Sequence, residues 1–193
     1  MKRQPYFVLI TATLAVSWLM MQAVHELGHV LAAGLTGGHV SQVVLHPSAI
    51  SQTHLSTNPR PLFVAWMGPI VGSILPVLAL LPARSFRWRG WYVLQFFAGF
   101  CVIANGAYLA LGSFNHVGDA GDILRHGTSI WLLWLFGVIT IPIGLWLWYG
   151  LGPYFGLGAN PGGVDRVITI TTVAILILTV ALELVFSNSA VRP

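Results

Sequence analysis

Residues 21–38 read MQAVHELGHVLAAGLTGG, a run of apolar and small residues that nevertheless carries two histidines and a glutamate. An ionisable side chain at the centre of a membrane helix costs about 2.5 to 3.5 kcal/mol even on lenient insertion scales, so such residues usually serve a function. On a helix, His25 and His29 stand four apart and share a face, where both can reach one metal ion. Glu26 lies on the next face, close enough to meet a water on that ion without being a ligand. This is the His-Glu-x-x-His pattern of two zinc ligands and a general base. Zinc keeps one position open for water and lowers its pKa to about 7, and Glu26 is placed to take the proton. Chance would place the pattern about 0.003 times in a chain of this composition, so the signal is strong. The bland alternative is an interfacial helix end whose histidines and glutamate only face water.

The rest of the chain says that this helix sits in a bilayer. Of 193 residues, 56% are hydrophobic and only 7% charged, with mean hydropathy +0.79; a soluble domain carries about 25% charged residues. The expected architecture is an all-α polytopic membrane protein, one integral domain over residues 1–193, with spans at about 6–36, 61–82, 90–112, 129–151 and 167–187. The lipid bilayer is therefore its first partner, and a bacterial inner membrane the expected location. At about 1.5 Å per residue the first span reaches about 46 Å against a hydrocarbon core of about 30 Å, which carries His25 into the half of the bilayer away from the N-terminus. The N-terminus resembles a signal peptide, but the apolar stretch runs on with no small-residue cleavage site before His25, so it reads as a retained span.

Net charge of +4 reads here as topology. With the N-terminus inside, Lys2, Arg3, Arg84, Arg87, Arg89 and Arg166 fall inside and Arg60, Arg125 and Arg192 outside, which puts the histidines toward the outer face. The basic residues form no recognition helix, so no nucleic acid partner is expected. The lone Cys101 excludes an intramolecular disulfide and a multi-cysteine metal site. Trp88, Trp91, Tyr92, Trp131, Trp134, Trp146, Trp148 and Tyr149 flank the spans as interfacial anchors. Glu183, near the end of the last span, is expected to reach the interface.

Between the first two spans, Val40 to Leu45 alternates with period two, Pro47-Ser48-Ala49 marks a turn, and Ile50 to Ser56 alternates again. That is a short β-hairpin beside the histidine-bearing end of the first helix. The second span carries Gly68, Pro69, Gly72 and Pro76, small and kinking residues that let helices approach. Zinc needs a third protein ligand, and Asp119 and Asp122, between spans three and four, are the candidates. The competing reading makes Asp119 the N-cap of a short helix with Asp122 three residues on. His39, His46, His54, His116 and His126 read as surface residues of loops and strands.

With VHELGHVLAAGLTGG followed by a hairpin, a Gly-Pro span, and a third span ending in Asn and then Gly-Asp, the chain resembles the site-2 protease family of intramembrane zinc metalloproteases. The resemblance covers roughly residues 15–125 and leaves the last two spans outside the core. It implies zinc as cofactor, His25 and His29 as ligands, Glu26 as catalytic base, Asp119 as third ligand and Asn105 as the substrate-supporting amide. It further implies a peptidase acting on a membrane-embedded or juxtamembrane protein or peptide. The extended backbone of such a substrate is expected to add to the hairpin edge, as strands do elsewhere. Asn105 lacks the family's following proline, Asp119 is followed by Ala120, and the gap between the two is long. Those departures keep Asp122 open as ligand and Asn115 as the supporting amide. They also keep open a non-proteolytic zinc-binding membrane protein that uses the site for partner or metal handling. No regulatory module is recognisable, so the resemblance is to a bare core.

Overall fold

Apolar runs become helices and the alternating stretch becomes strands. The order is α1 Gln4–Leu35, β1 His39–Val44, β2 Gln52–Thr57, α2 Pro61–Ser85, α3 Trp91–Asn115, α4 Gly118–Arg125, α5 Ile130–Trp148, a 3-10 turn at Gly152–Phe155, and α6 Arg166–Ala190. The computed structural model describes residues 4–158 and 163–190; Lys2, Arg3 and Arg192, which entered the charge count, lie outside the described residues. Among the described residues every α-helix except α4 is long and apolar enough to cross a membrane, which makes five. The chain is an all-α polytopic membrane protein with a two-stranded antiparallel hairpin between its first two helices.

Pro61 opens α2 at a position where its missing N–H is no loss. Pro69 and Pro76 lie inside that helix, and each withholds a donor from the carbonyl four residues back. Small residues then set the helix spacing. A Cβ on Gly28 of α1 would meet the α2 backbone at Met67 and Gly68, 2.8 Å from the Met67 carbonyl carbon. On the other side of the bundle, a Cβ on Gly144 of α5 would lie 2.7 Å from the Gly99 carbonyl oxygen of α3, and one on Gly137 would lie 3.0 Å from that of Gly106. Close backbone approach of this kind replaces the hydrophobic driving force that lipid does not supply.

Two ends of the bundle differ in chemistry. At one, Leu9 of α1, Tyr92 of α3, Leu151 and Phe155 form a buried cluster, and Arg89 pairs with Asp165 ahead of α6. Arg84, Arg87 and Arg166 belong to that end by their places in the chain. At the other, the second half of α1 meets the hairpin, the start of α2 and α4.

Three expectations change in the folded chain. Trp88, Trp131, Trp146 and Tyr149 are exposed, as anchors should be, but Tyr92 is buried. Trp148 stacks on Phe96 with centroids 4.9 Å apart and donates its indole N–H to the Phe96 carbonyl at 2.9 Å, while Trp134 donates to the Ser113 hydroxyl at 2.9 Å. These rings pack the bundle instead of standing at its rim, because an amphipathic ring suits either place. Glu183 is only 6% exposed, since α6 packs along α1 and β1 and covers it, and one of its carboxylate oxygens has no hydrogen-bond partner among the described residues. Finally, the cap of α4 is extended Val117, and Asp119 lies inside the first turn with its side chain used elsewhere.

Candidate metal centre

His25 and His29 project from one face of α1 and meet Asp119 of α4, the short helix packed against α2 and α3. The Nε2 atoms of the two histidines are 3.1 Å apart, His25 Nε2 is 2.8 Å from Asp119 Oδ2, and His29 Nε2 is 3.3 Å from the same oxygen. One ligand atom from each lies within 4.8 Å of the others, a grouping that could hold a metal ion. Ligands at about 2.0 to 2.2 Å around a tetrahedral zinc stand about 3.3 to 3.6 Å from one another, so an ion would spread this group by a few tenths of an ångström.

The outer ring nitrogens say which form the histidines take. Asn105 donates its side-chain N–H to the Cys101 carbonyl at 2.8 Å, which turns its amide oxygen toward His25. His25 Nδ1–H donates to that oxygen at 2.7 Å, so in the neutral ring Nε2 carries the lone pair. His29 Nδ1–H donates to the Val64 carbonyl of α2 at 2.8 Å, with the same consequence. Both rings are thereby fixed in orientation with their acceptor nitrogens aimed inward, the outer support that metal-ligating histidines need. Two imidazole lone pairs and a carboxylate converge on one point, and their mutual repulsion calls for a cation or a proton among them. The donor set fits a zinc-type ion.

Room for that point comes from α2. A Cβ on Gly68 would lie 2.8 Å from His25 Nε2 and closer still to His29 Nε2, so no side chain can occupy this position without pushing both rings. Asp119 is held from behind: its backbone N–H donates to the Tyr108 hydroxyl at 3.0 Å, and Tyr108 sets its ring edge-on to His25 at 5.6 Å. Burial would raise the Asp119 carboxyl, but hydrogen bonds and charge from His25 and His29 outweigh it and hold it down at about 2. It is ionised at neutral pH, as a ligand must be.

Glu26 is buried and borders the same cavity, of about 530 Å³, as the three clustered side chains. Its two carboxylate oxygens accept hydrogen bonds from the hairpin, Oε1 from the Ser51 hydroxyl at 2.7 Å and Oε2 from the Thr53 hydroxyl at 2.6 Å. Gln22, one turn before His25, accepts the Ser51 N–H at 2.9 Å. A second cavity, also about 530 Å³, opens between α1 and α3 and is mostly apolar, with Trp18, Met21, Ala104, Ala107 and Leu111 in its wall. His25, Glu26, Ile50, Ser51, Tyr108 and Val117 border both.

The remaining candidates fall as follows. Asp122 borders the cavity but pairs with Arg125 at 2.7 Å, is half exposed, and stands outside the three-residue grouping. Asn105, expected to support substrate binding, has its amide turned to His25 and the α3 backbone and borders the apolar cavity. Asn115 borders the same apolar cavity, away from the three clustered side chains. His39, His54, His116 and His126 are exposed and His46 is half-buried. Sequence reasoning missed Ser51, Thr53, Gln22, Tyr108 and the Val64 carbonyl. Period-two alternation does put Ser51, Thr53 and Leu55 on one face of the strand, and that was the available signal for the first two.

A family model described as Peptidase M50B-like matches residues 6–114, more than half of the chain. The matched segment carries His25, Glu26, His29, the hairpin and Asn105, and stops short of Asp119. No curated protein and no solved structure matched.

Proposed function

The chain belongs to the Peptidase M50B-like family, and on that premise we propose that it is an intramembrane zinc metalloendopeptidase that cuts membrane-embedded or juxtamembrane segments. The observation that carries this reading is the convergence of three electron-pair donors beside a buried carboxylate in one cavity. His25, His29 and Asp119 would hold the ion, with Asn105 and the Val64 carbonyl keeping the two rings aimed. Zinc bound there supplies a Lewis acid for a carbonyl oxygen and an acidified water.

The chain's own groups account for the proton traffic. Glu26 accepts a proton from the attacking water as the water oxygen bonds to the substrate carbonyl carbon. It returns that proton to the amine nitrogen as the C–N bond breaks, so each cycle leaves the carboxylate as it began. A carboxylate has about four lone-pair sites, and two hydroxyl donors leave the others free for this exchange.

Two cavities that meet at His25 and Glu26 support a substrate that crosses from apolar to polar surroundings. One part of an extended segment would lie among Trp18, Met21 and Ala107, and the next under the hairpin, with the scissile bond between. β2 pairs only with β1 among the described residues, so its other edge is available for an added strand.

Glu26→Gln tests the reading. An amide of the same size cannot take the proton, so the variant should keep its zinc while cleavage of a co-expressed membrane substrate falls by about 10²- to 10⁴-fold. Full cellular function in Glu26→Gln, lost only with the histidines, would refute the peptidase reading and favour a non-proteolytic zinc-binding protein.

A further inference from the structure

Glu26 is the one member of the site whose partners come from outside the helical bundle. Both of its oxygens are taken by β2 and the residue before it, through Ser51 and Thr53 at 2.7 and 2.6 Å. The two hydroxyls stand at alternate positions and therefore on one face of the extended chain, the face turned to α1. Ser51 is bonded a second time to the same helix, through its N–H to Gln22. This segment is thus fastened to α1 at three points, all within one turn of His25. The same stretch, Ile50 to Leu55, forms one wall of the cavity that contains the metal ligands.

We infer that Ser51 and Thr53 are positioning residues for Glu26, so that the strand lining the substrate cavity also sets the orientation of the base. The inference rests on the peptidase reading. A carboxylate held by one donor can still swing about its last torsion, which is broad and has no strong preferred well. Held by two donors on separate oxygens, its plane is fixed, and the lone pairs not used by the hairpin point to one place. Any substrate segment that pairs with β2 would then register itself against the strand that holds the base. Docking and catalysis would share one rigid element. Neither residue ligates the ion, and neither need touch the scissile bond.

The test pairs Ser51→Ala with Thr53→Val, which removes both hydroxyls and keeps a β-branched side chain in the strand. A misplacement of about 1 Å at a reacting group can cost about 10²-fold in rate, so kcat on a membrane substrate should fall by about 10- to 100-fold. KM should stay within about twofold and zinc content should be unchanged, because an added strand would pair with the β2 backbone while the two hydroxyls are spent on Glu26. Thr53→Ser, which restores a hydroxyl, should recover most of the rate in the Ser51 background. A readout independent of cleavage uses the reciprocal change: Glu26→Ala should accelerate amide hydrogen exchange in residues 51–57 of the detergent-solubilised protein while leaving α3 exchange unaltered. Wild-type kcat in the double variant with Glu26→Gln inactive would overturn the positioning role and leave the peptidase reading standing. A fall in cleavage accompanied by zinc loss and not rescued by Thr53→Ser would also overturn it, by showing a merely structural role. Unchanged exchange in the hairpin of Glu26→Ala would overturn it as well. An active Glu26→Gln enzyme would instead remove the peptidase reading itself.

Discussion

Gly68→Ala adds one methyl group at the point where α2 faces the two histidines. That carbon would lie 2.8 Å from His25 Nε2 and closer to His29 Nε2, whereas non-bonded atoms rest at about 3.5 Å or beyond. Relief needs a displacement of about 0.7 Å at His25 and more at His29. Metal sites tolerate only about 0.2 Å in ligand distance. The rings cannot simply swing aside, because their Nδ1 atoms are tied to Asn105 and Val64 at 2.7 and 2.8 Å. Losing outer support alone costs about 10- to 100-fold in metal affinity, so Gly68→Ala should weaken zinc binding by about a hundredfold or more. Helix propensity works in the opposite direction, since alanine is favoured over glycine by about 1 kcal/mol in a helix interior. Any loss therefore comes from the collision. The assay is competition against a chromophoric chelator in detergent, with Gly34→Ala as control, because a Cβ there meets nothing within 4 Å. Zinc affinity in Gly68→Ala within about threefold of the parent would refute the geometry of the site.

Asp119→Asn should reduce zinc affinity by about a hundredfold or more, whereas Asp122→Asn, half exposed and paired with Arg125, should change it by less than about twofold; chelator competition separates them, and the reverse order would reassign the third ligand. Residues 83–90 should face the cytoplasm, because Arg84, Arg87 and Arg89 form the densest positive cluster; cysteines introduced there in a Cys101→Ala background should resist an impermeant thiol reagent in intact cells, and ready labelling would move the metal site to the inner side.

Much of the architecture is visible in one dimension because a bilayer imposes it. Five apolar runs of spanning length could hardly do anything else, and the hairpin announces itself through the alternation from Val40 to Leu45. His25, Glu26 and His29 are legible for a related reason: ionisable groups at helical spacing in an apolar run are costly and hence informative. Asp119 could be ranked above Asp122 only through the family resemblance; in the structure α4 sets Asp119 beside the two histidines and leaves Asp122 paired with Arg125. What the sequence hides is tertiary. Ser51 and Thr53 are ordinary strand residues until the hairpin lies on α1, and Gly68 is one small residue among several until the histidine rings face it. Tyr92 and Trp148 show the same limit from the other side. An aromatic ring near a span end suits the interface and the bundle equally, and only the neighbours decide. Glu183 is likewise enclosed, since α6 packs on α1 and β1 and buries it, which its place near the end of the span does not announce.

The most direct test of the account is metal content. Protein purified without chelators should carry about one zinc per chain by elemental analysis, and His25→Ala or His29→Ala should each lose it while keeping helical content. Zinc undiminished in both variants would contradict the account at its centre.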